Sequence, residues 1–183
     1  MQSKRALSTL LIPIVFVIFA AGCARTGGSA RPVVATATSE VLARYTKVVF
    51  ASSTEADASK MTAGDRERIV ALIVKKLKGE APNRFADFAA TPADAETLHI
   101  TVAFTRYDEG SAFARFMLAG LGQIHIDADV TVEDRMSQKV LGKSQVTKTF
   151  AWGGIYGGAT RITDVEEGFA EAVAKVVLGK FEQ

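Results

Sequence analysis

The sequence predicts an α/β layer: a mostly antiparallel sheet with helices on one face, in the order β-α-β-(α)-β-β-α. Three observations lead there. Leu98, Ile100, Val102 and Phe104 alternate with His99, Thr101, Ala103 and Thr105, and the same period of two returns over Gln123–Glu133. Such alternation marks strands buried on one face and polar on the other. Two segments instead carry apolar residues at helical spacing, Ile69, Leu72, Ile73 and Leu77, then Val165, Phe169, Ala172, Val173 and Val176. Helices with one apolar stripe bury it by covering one face of a sheet.

The elements follow in order. Tyr45–Ser52 (YTKVVFAS) is rich in β-branched and aromatic residues and reads as the first strand. Thr62 with Asp65 three residues on starts the first long helix, and Gly79 is its expected stop. Residues 80–96 hold Pro82, Phe85, Phe88 and Pro92; a stretch this long is expected to pack rather than float. The second strand, from Leu98, ends at Asp108-Glu109-Gly110. Ser111 caps a short helix through Phe113, Phe116, Met117 and Leu118, closed by Gly120 and Gly122. The third strand turns at residues 134–138 into a hairpin partner, Lys139–Phe150. A glycine-rich connector, Ala151–Thr160, leads to the closing helix, for which Thr163 and Glu166 are the expected capping pair and Glu171 with Lys175 an i,i+4 pair.

The chain has 183 residues, and its first 22 have the form of an export signal. Lys4 and Arg5 precede ALSTLLIPIVFVIFA, which is shorter than the ~20 residues a membrane-spanning helix needs. Those two bases account for the whole formal charge of +2, so the remainder is balanced and nothing in it calls for a nucleic-acid partner. Residues 24–40 are small, polar and punctuated by glycine and proline, and read as a flexible tether. A single globular domain is expected over 41–183.

Cys23 is the only cysteine, which excludes an intramolecular disulfide and a thiolate metal cluster. Ala20-Ala21-Gly22-Cys23 resembles the lipobox of bacterial lipoproteins. That resemblance implies a membrane attachment through acyl chains on Cys23. Because Ala24 rather than Asp follows the cysteine, it further implies the periplasmic side of the outer membrane. Two or three acyl chains give a stable anchor where one gives a reversible one.

Three groups could carry function. His125, Asp127 and Asp129 share one strand face, with His99 on a neighbouring strand, and imidazole with carboxylates is a zinc-type ligand set. On one strand, however, such ligands stand far apart, and a solvated face wears charges anyway. Gly153–Gly158 precedes a helix but lacks the Lys-Ser/Thr of a phosphate loop, and reads as a bent connector. The apolar residues of the two glycine-flanked turns are a candidate interface: Phe113, Phe116, Met117 and Leu121 in one, Trp152, Ile155 and Tyr156 in the other. If both turns lie at one end of the sheet they form one surface. There is no Gly-x-Ser-x-Gly and there are only two histidines, so no catalytic residue is assigned and no cofactor is expected.

The stretch LHITVAFTRYDEGSAFARFMLAGLG, then IHIDADVTVED, Lys139–Gly142 and the late Trp152–Gly158 loop resemble the bacterial lipoproteins grouped as domain of unknown function 4410. The resemblance spans roughly residues 41–178. The turn Asp134–Gln138 departs from the family pattern in lacking its glycine. The family carries no agreed activity, so no site residue is implied. By looser fold analogy the element order is similar to periplasmic domains of secretion and polysaccharide-export lipoproteins, some of which form rings. The expected function is a lipid-anchored envelope accessory protein acting on protein partners, with self-association open. The alternative is a small-ligand or metal carrier using the polar sheet face.

Overall fold

The computed structural model describes residues 27–88, 96–118 and 120–180. The expected signal, Cys23, and the part of the proline-flanked segment over 89–95 lie outside these residues. The elements are β1 (Ser29–Val34), α1 (Ser39–Ala43), β2 (Lys47–Thr54), α2 (Ala63–Glu80), β3 (Thr97–Asp108), α3 (Ala112–Met117), β4 (Ile124–Asp134), β5 (Val140–Phe150), α4 (Gly154–Ala159) and α5 (Ile162–Val177). They form one five-stranded sheet in the order β1-β5-β4-β3-β2. Only the β2–β3 pair is parallel, joined by the α2 crossover; the other pairs are antiparallel. Among the described residues no helix is long and apolar enough to cross a membrane.

The period-two pattern sets the layers. Ile124, Ile126, Ala128, Val130 and Val132 of β4 are fully buried beneath the helices, while the residues between them stay half exposed on the other face. Ile69, Ile73 and Leu77 of α2 and Val165, Phe169, Val173 and Val176 of α5 complete the core. Thr62 caps α2 reciprocally with Asp65, and α2 passes through Gly79 to Glu80. Phe85 is buried, and its ring packs edge-on against Phe88 5.9 Å away, so the described part of that connection is packed.

Two expectations need correction. The span 24–40, expected to be a flexible tether, holds regular structure: Ser29–Val34 form an edge strand on β5 and Ser39–Ala43 a helix. Gly28 donates its N–H to Gly168 O at 3.0 Å, so the fold already includes residues well before Val41. The strand was invisible to pattern because an outer edge strand buries almost nothing, and Pro32 is tolerated at such an edge. At α5, the capping acid is Asp164, which accepts from the Arg161 N–H at 2.8 Å. Glu166 turns inward and is 1 % exposed.

Glu166 is met there by Arg68 of α2, whose Nε and Nη2 donate to its two oxygens at 2.8 and 2.7 Å. The Tyr107 hydroxyl of β3 donates to Oε1 at 2.9 Å, and Arg68 also holds Asp65 at 2.6 Å. Burial first, then the Glu166 bond, pushes the Tyr107 phenol well above its ordinary range. One carboxylate thus ties two helices to the sheet.

The β4–β5 turn lacks glycine because Gln138 itself takes the left-handed conformation, at φ 54°. Asp134 supports it, accepting from the Met136 and Ser137 N–H groups at 3.0 and 2.8 Å and from the buried Tyr45 hydroxyl at 2.8 Å. The Ser137 N–H and then the Tyr45 hydroxyl hold the Asp134 carboxyl below the usual carboxylate range. A carboxyl that titrates lower folded than unfolded stabilises fully above about pH 4 and loses that stabilisation as pH falls through its folded value. Urea midpoints measured from about pH 6 down to about pH 3 should therefore fall, and less steeply in Asp134→Asn. Equal slopes in the two proteins would remove Asp134 from the account.

Candidate functional site

β3 ends, β4 begins and β5 ends at the same edge of the sheet, so α3 and α4, which follow β3 and β5, are brought side by side there. The Ser111 hydroxyl accepts from the Ala114 N–H at 3.2 Å and starts α3. Gly122, at φ 66°, lets the chain turn back into β4; a Cβ there would lie 2.4 Å from Ser111 O. Gly157 lets α4 curl against its own entry, since a Cβ would lie 2.0 Å from Trp152 O. The region expected to be a bent connector is therefore a short helix.

One side chain fastens the two turns. Arg115 of α3 is 1 % exposed and has no acid partner among the described residues. Its Nε donates to Gly157 O at 2.9 Å and its Nη2 to Thr160 O at 3.0 Å. Its Nη1 donates to Glu109 O and Gly122 O, both at 2.6 Å. Four carbonyls from three chain segments thus converge on one planar fork, which no single-point cation could satisfy. Arg115 was legible in the sequence only as a residue within an apolar turn. Its position one turn before Gly120-x-Gly122 was the available signal.

With its only charge turned inward, the outer surface of the pair is apolar. Phe113, Phe116, Met117, Leu118, Leu121, Trp152, Ile155 and Tyr156 are all half or more exposed, or nearly so, reaching 74 % at Phe113 and 81 % at Ile155. The Trp152 and Tyr156 rings meet at 6.2 Å, and Tyr156 leans on Phe150 at 6.5 Å. All seven residues expected to form an interface are brought together, and Leu118 joins them. An uncharged apolar cap of eight side chains is larger than scattered surface hydrophobics account for.

β1 runs antiparallel to β5, with Ser29 opposite Thr147 and Val34 opposite Lys143. The start of β1, with Gly27 and Gly28 before it, therefore lies at this same apolar end.

The polar sheet face is a ladder of pairs. His99 Nδ1 lies 3.5 Å from Glu133, Lys143 Nζ lies 3.1 Å from Asp129, and the Thr149 hydroxyl is 3.2 Å from His125 Nδ1. Burial first, and then the nearby Arg106 charge, lowers the His125 pKa from its ordinary value. Asp127 faces this side too, with Oδ1 sealed from solvent and without a partner. The four expected metal ligands do not converge. His99 pairs across from Glu133 and His125 from Asp108, nine residues along β3, so roughly 30 Å separates the two histidines. Among the described residues no three His, Cys, Asp or Glu side chains gather to hold a metal ion.

Comparison with known proteins agrees with this architecture. The PelC dodecamer from Paraburkholderia phytofirmans superimposes with a TM-score of 0.52 at 17% identity, over 85% of this chain and 99% of that one. A variant of the same PelC in a second crystal form gives 0.52 at 14% identity, with the same shares covered. At this identity the likeness shows the fold and no more. Among curated proteins nothing matches the chain. A family model described as "Domain of unknown function (DUF4410)" matches residues 35–154, from the segment before α1 to the first residue of α4, and takes in Arg115 with the glycines around it. The chain belongs to that family.

Proposed function

We propose that the protein is a lipid-anchored periplasmic accessory or assembly protein of the bacterial envelope, held at the outer membrane by Cys23, that works by contact and performs no chemistry. The observation that carries this reading is the apolar cap: eight exposed large hydrophobics on a scaffold locked by Arg115. Surfaces of this kind mark sites where another macromolecule docks. β1 begins at the end of the molecule that carries the cap. The partner is then an envelope protein close to the membrane, or further copies of this chain. The PelC structures similar in fold are dodecamers, which makes self-association the first thing to measure.

Two experiments test this. Light scattering on residues 24–183 over a concentration series should show a closed oligomer, and Ile155→Glu with Phe113→Glu should return it to monomer with its fold intact. If the chain is monomeric throughout, crosslinking in intact cells from position 155 should still capture one partner, lost in the double variant. A monomer that crosslinks to nothing overturns the contact reading. Separately, Cys23→Ser should abolish fatty-acid labelling; labelling that persists overturns the anchor.

A further inference from the structure

On the helix side of the sheet, opposite the polar ladder, lies a cavity of about 530 Å³ between β5, α4 and the first half of α5. Pockets of roughly 300–1,000 Å³ are the size that takes small organic ligands. Its apolar walls are Phe150, Tyr156, Ala159 and Val165. Gly168 of α5 lines it as well.

Lys148 stands in this wall. The inward positions of β5 run Ser144, Val146, Lys148, Phe150, and opposite Lys148 on β4 is the fully buried Ile126. The pattern asks for an aliphatic residue, yet the chain places a lysine that is 4 % exposed. Its side chain makes no hydrogen bond or ion pair among the described residues. Among the described residues, the polar side-chain atoms sealed from solvent without a partner are Asp127 Oδ1 and Ser144 Oγ, and Lys148 Nζ is not one of them. The ammonium therefore opens onto the cavity. Burial lowers its pKa from the ordinary lysine value, opposed by the field of Glu171.

Three acids border the same space, and each has a donor or cation of its own. Asp164 accepts from the Arg161 N–H at 2.8 Å, Glu167 lies 3.6 Å from Lys76, and Glu171 lies 3.4 Å from Lys175. The charge left without a counter-ion is Lys148. A buried unpaired ammonium is costly unless something supplies the missing anion. The acidic border sets the charge of that anion: a dianion such as phosphate would be repelled by the three carboxylates, while a monoanion is balanced by one lysine.

We propose that this cavity is a binding site for a small monocarboxylate with an apolar or aromatic body, its carboxylate paired with Lys148 Nζ and its body against Phe150, Tyr156 and Val165. The site is distinct from the polar face and does not depend on the anchor. A charge-assisted pair in a partly enclosed space gives orientation as well as affinity.

The test uses residues 23–183 carrying Cys23→Ser, titrated with benzoate, phenylacetate and hexanoate by calorimetry and thermal shift. Benzamide serves as the neutral control and inorganic phosphate as the dianion. At least one carboxylate should bind at millimolar concentration, and benzamide at least roughly tenfold more weakly than benzoate. Lys148→Met, which keeps the volume and removes the charge, should weaken the carboxylate by a similar factor. A second measurement covers a variant that fails to fold: in the unaltered chain, the bound carboxylate should slow acylation of Lys148 relative to Lys180, read by mass spectrometry. Binding by none of the three carboxylates overturns the proposal. So does benzamide binding as well as benzoate, phosphate binding more tightly than either, or acylation of Lys148 that the ligand leaves unchanged.

Discussion

Replacing Arg115 with methionine should lower the unfolding free energy by roughly 3–5 kcal/mol, as much as emptying a large core position. Charge-assisted hydrogen bonds contribute about 1.5–3 kcal/mol each, and four of them acting on one fork are not additive. The larger part of the cost lies in the carbonyls of Glu109, Gly122, Gly157 and Thr160, which face the guanidinium and would lose their donor. Arg115→Lys should recover little, because an ammonium cannot direct donors along the fork. Trp152 is the only tryptophan and sits on the cap, so its fluorescence reports the local event. In the variant its transition should precede the loss of helical circular dichroism on urea titration. A loss under about 1 kcal/mol would mean that the cap is held by its own packing rather than by Arg115.

Arg68→Met should cost roughly 2–4 kcal/mol at neutral pH. The lower end allows for the Arg68 side chain being 42 % exposed and partly screened, while its partner Glu166 is 1 % exposed. Removing the arginine leaves a buried carboxylate with only the Tyr107 hydroxyl as donor. A double variant, Arg68→Met with Glu166→Leu, should regain most of the loss, because an apolar pair of similar volume carries no desolvation cost. Paired urea denaturation of the single and double variants checks this. A double variant no more stable than the single one would show that the unpaired Glu166 carboxylate is not what makes the single change costly.

How much of this was legible in the sequence can be argued residue by residue. Leu98 to Phe104 and Ile124 to Val132 announce their strands because each step of the pleat places one residue against the helices and the next outside. Thr62 and Asp65 announce the start of α2 because capping is a contact across three residues. The two apolar turns were visible from composition, and their meeting could be stated only as a condition. Arg115 is marked in the sequence only by being the one charge in an apolar turn ahead of Gly120-x-Gly122, and Glu166 reads there as a capping acid rather than a buried one.

Local order along the chain therefore determined the element types, the two-faced sheet, the helix cover, and which residues of the turns are apolar. Neighbours three or four positions apart act through fixed backbone periods, and periods can be read. Only the tertiary structure decided that β1 leaves the expected tether to pair with β5, that His99 and His125 stand at opposite ends of the sheet, and that Phe113 and Ile155 share one cap. It also decided that Lys148 is buried beside a cavity and that Arg115 spans four carbonyls. These contacts join residues far apart in the chain. Their energies come from desolvation and hydrogen-bond geometry that exist only once the sheet has closed around them.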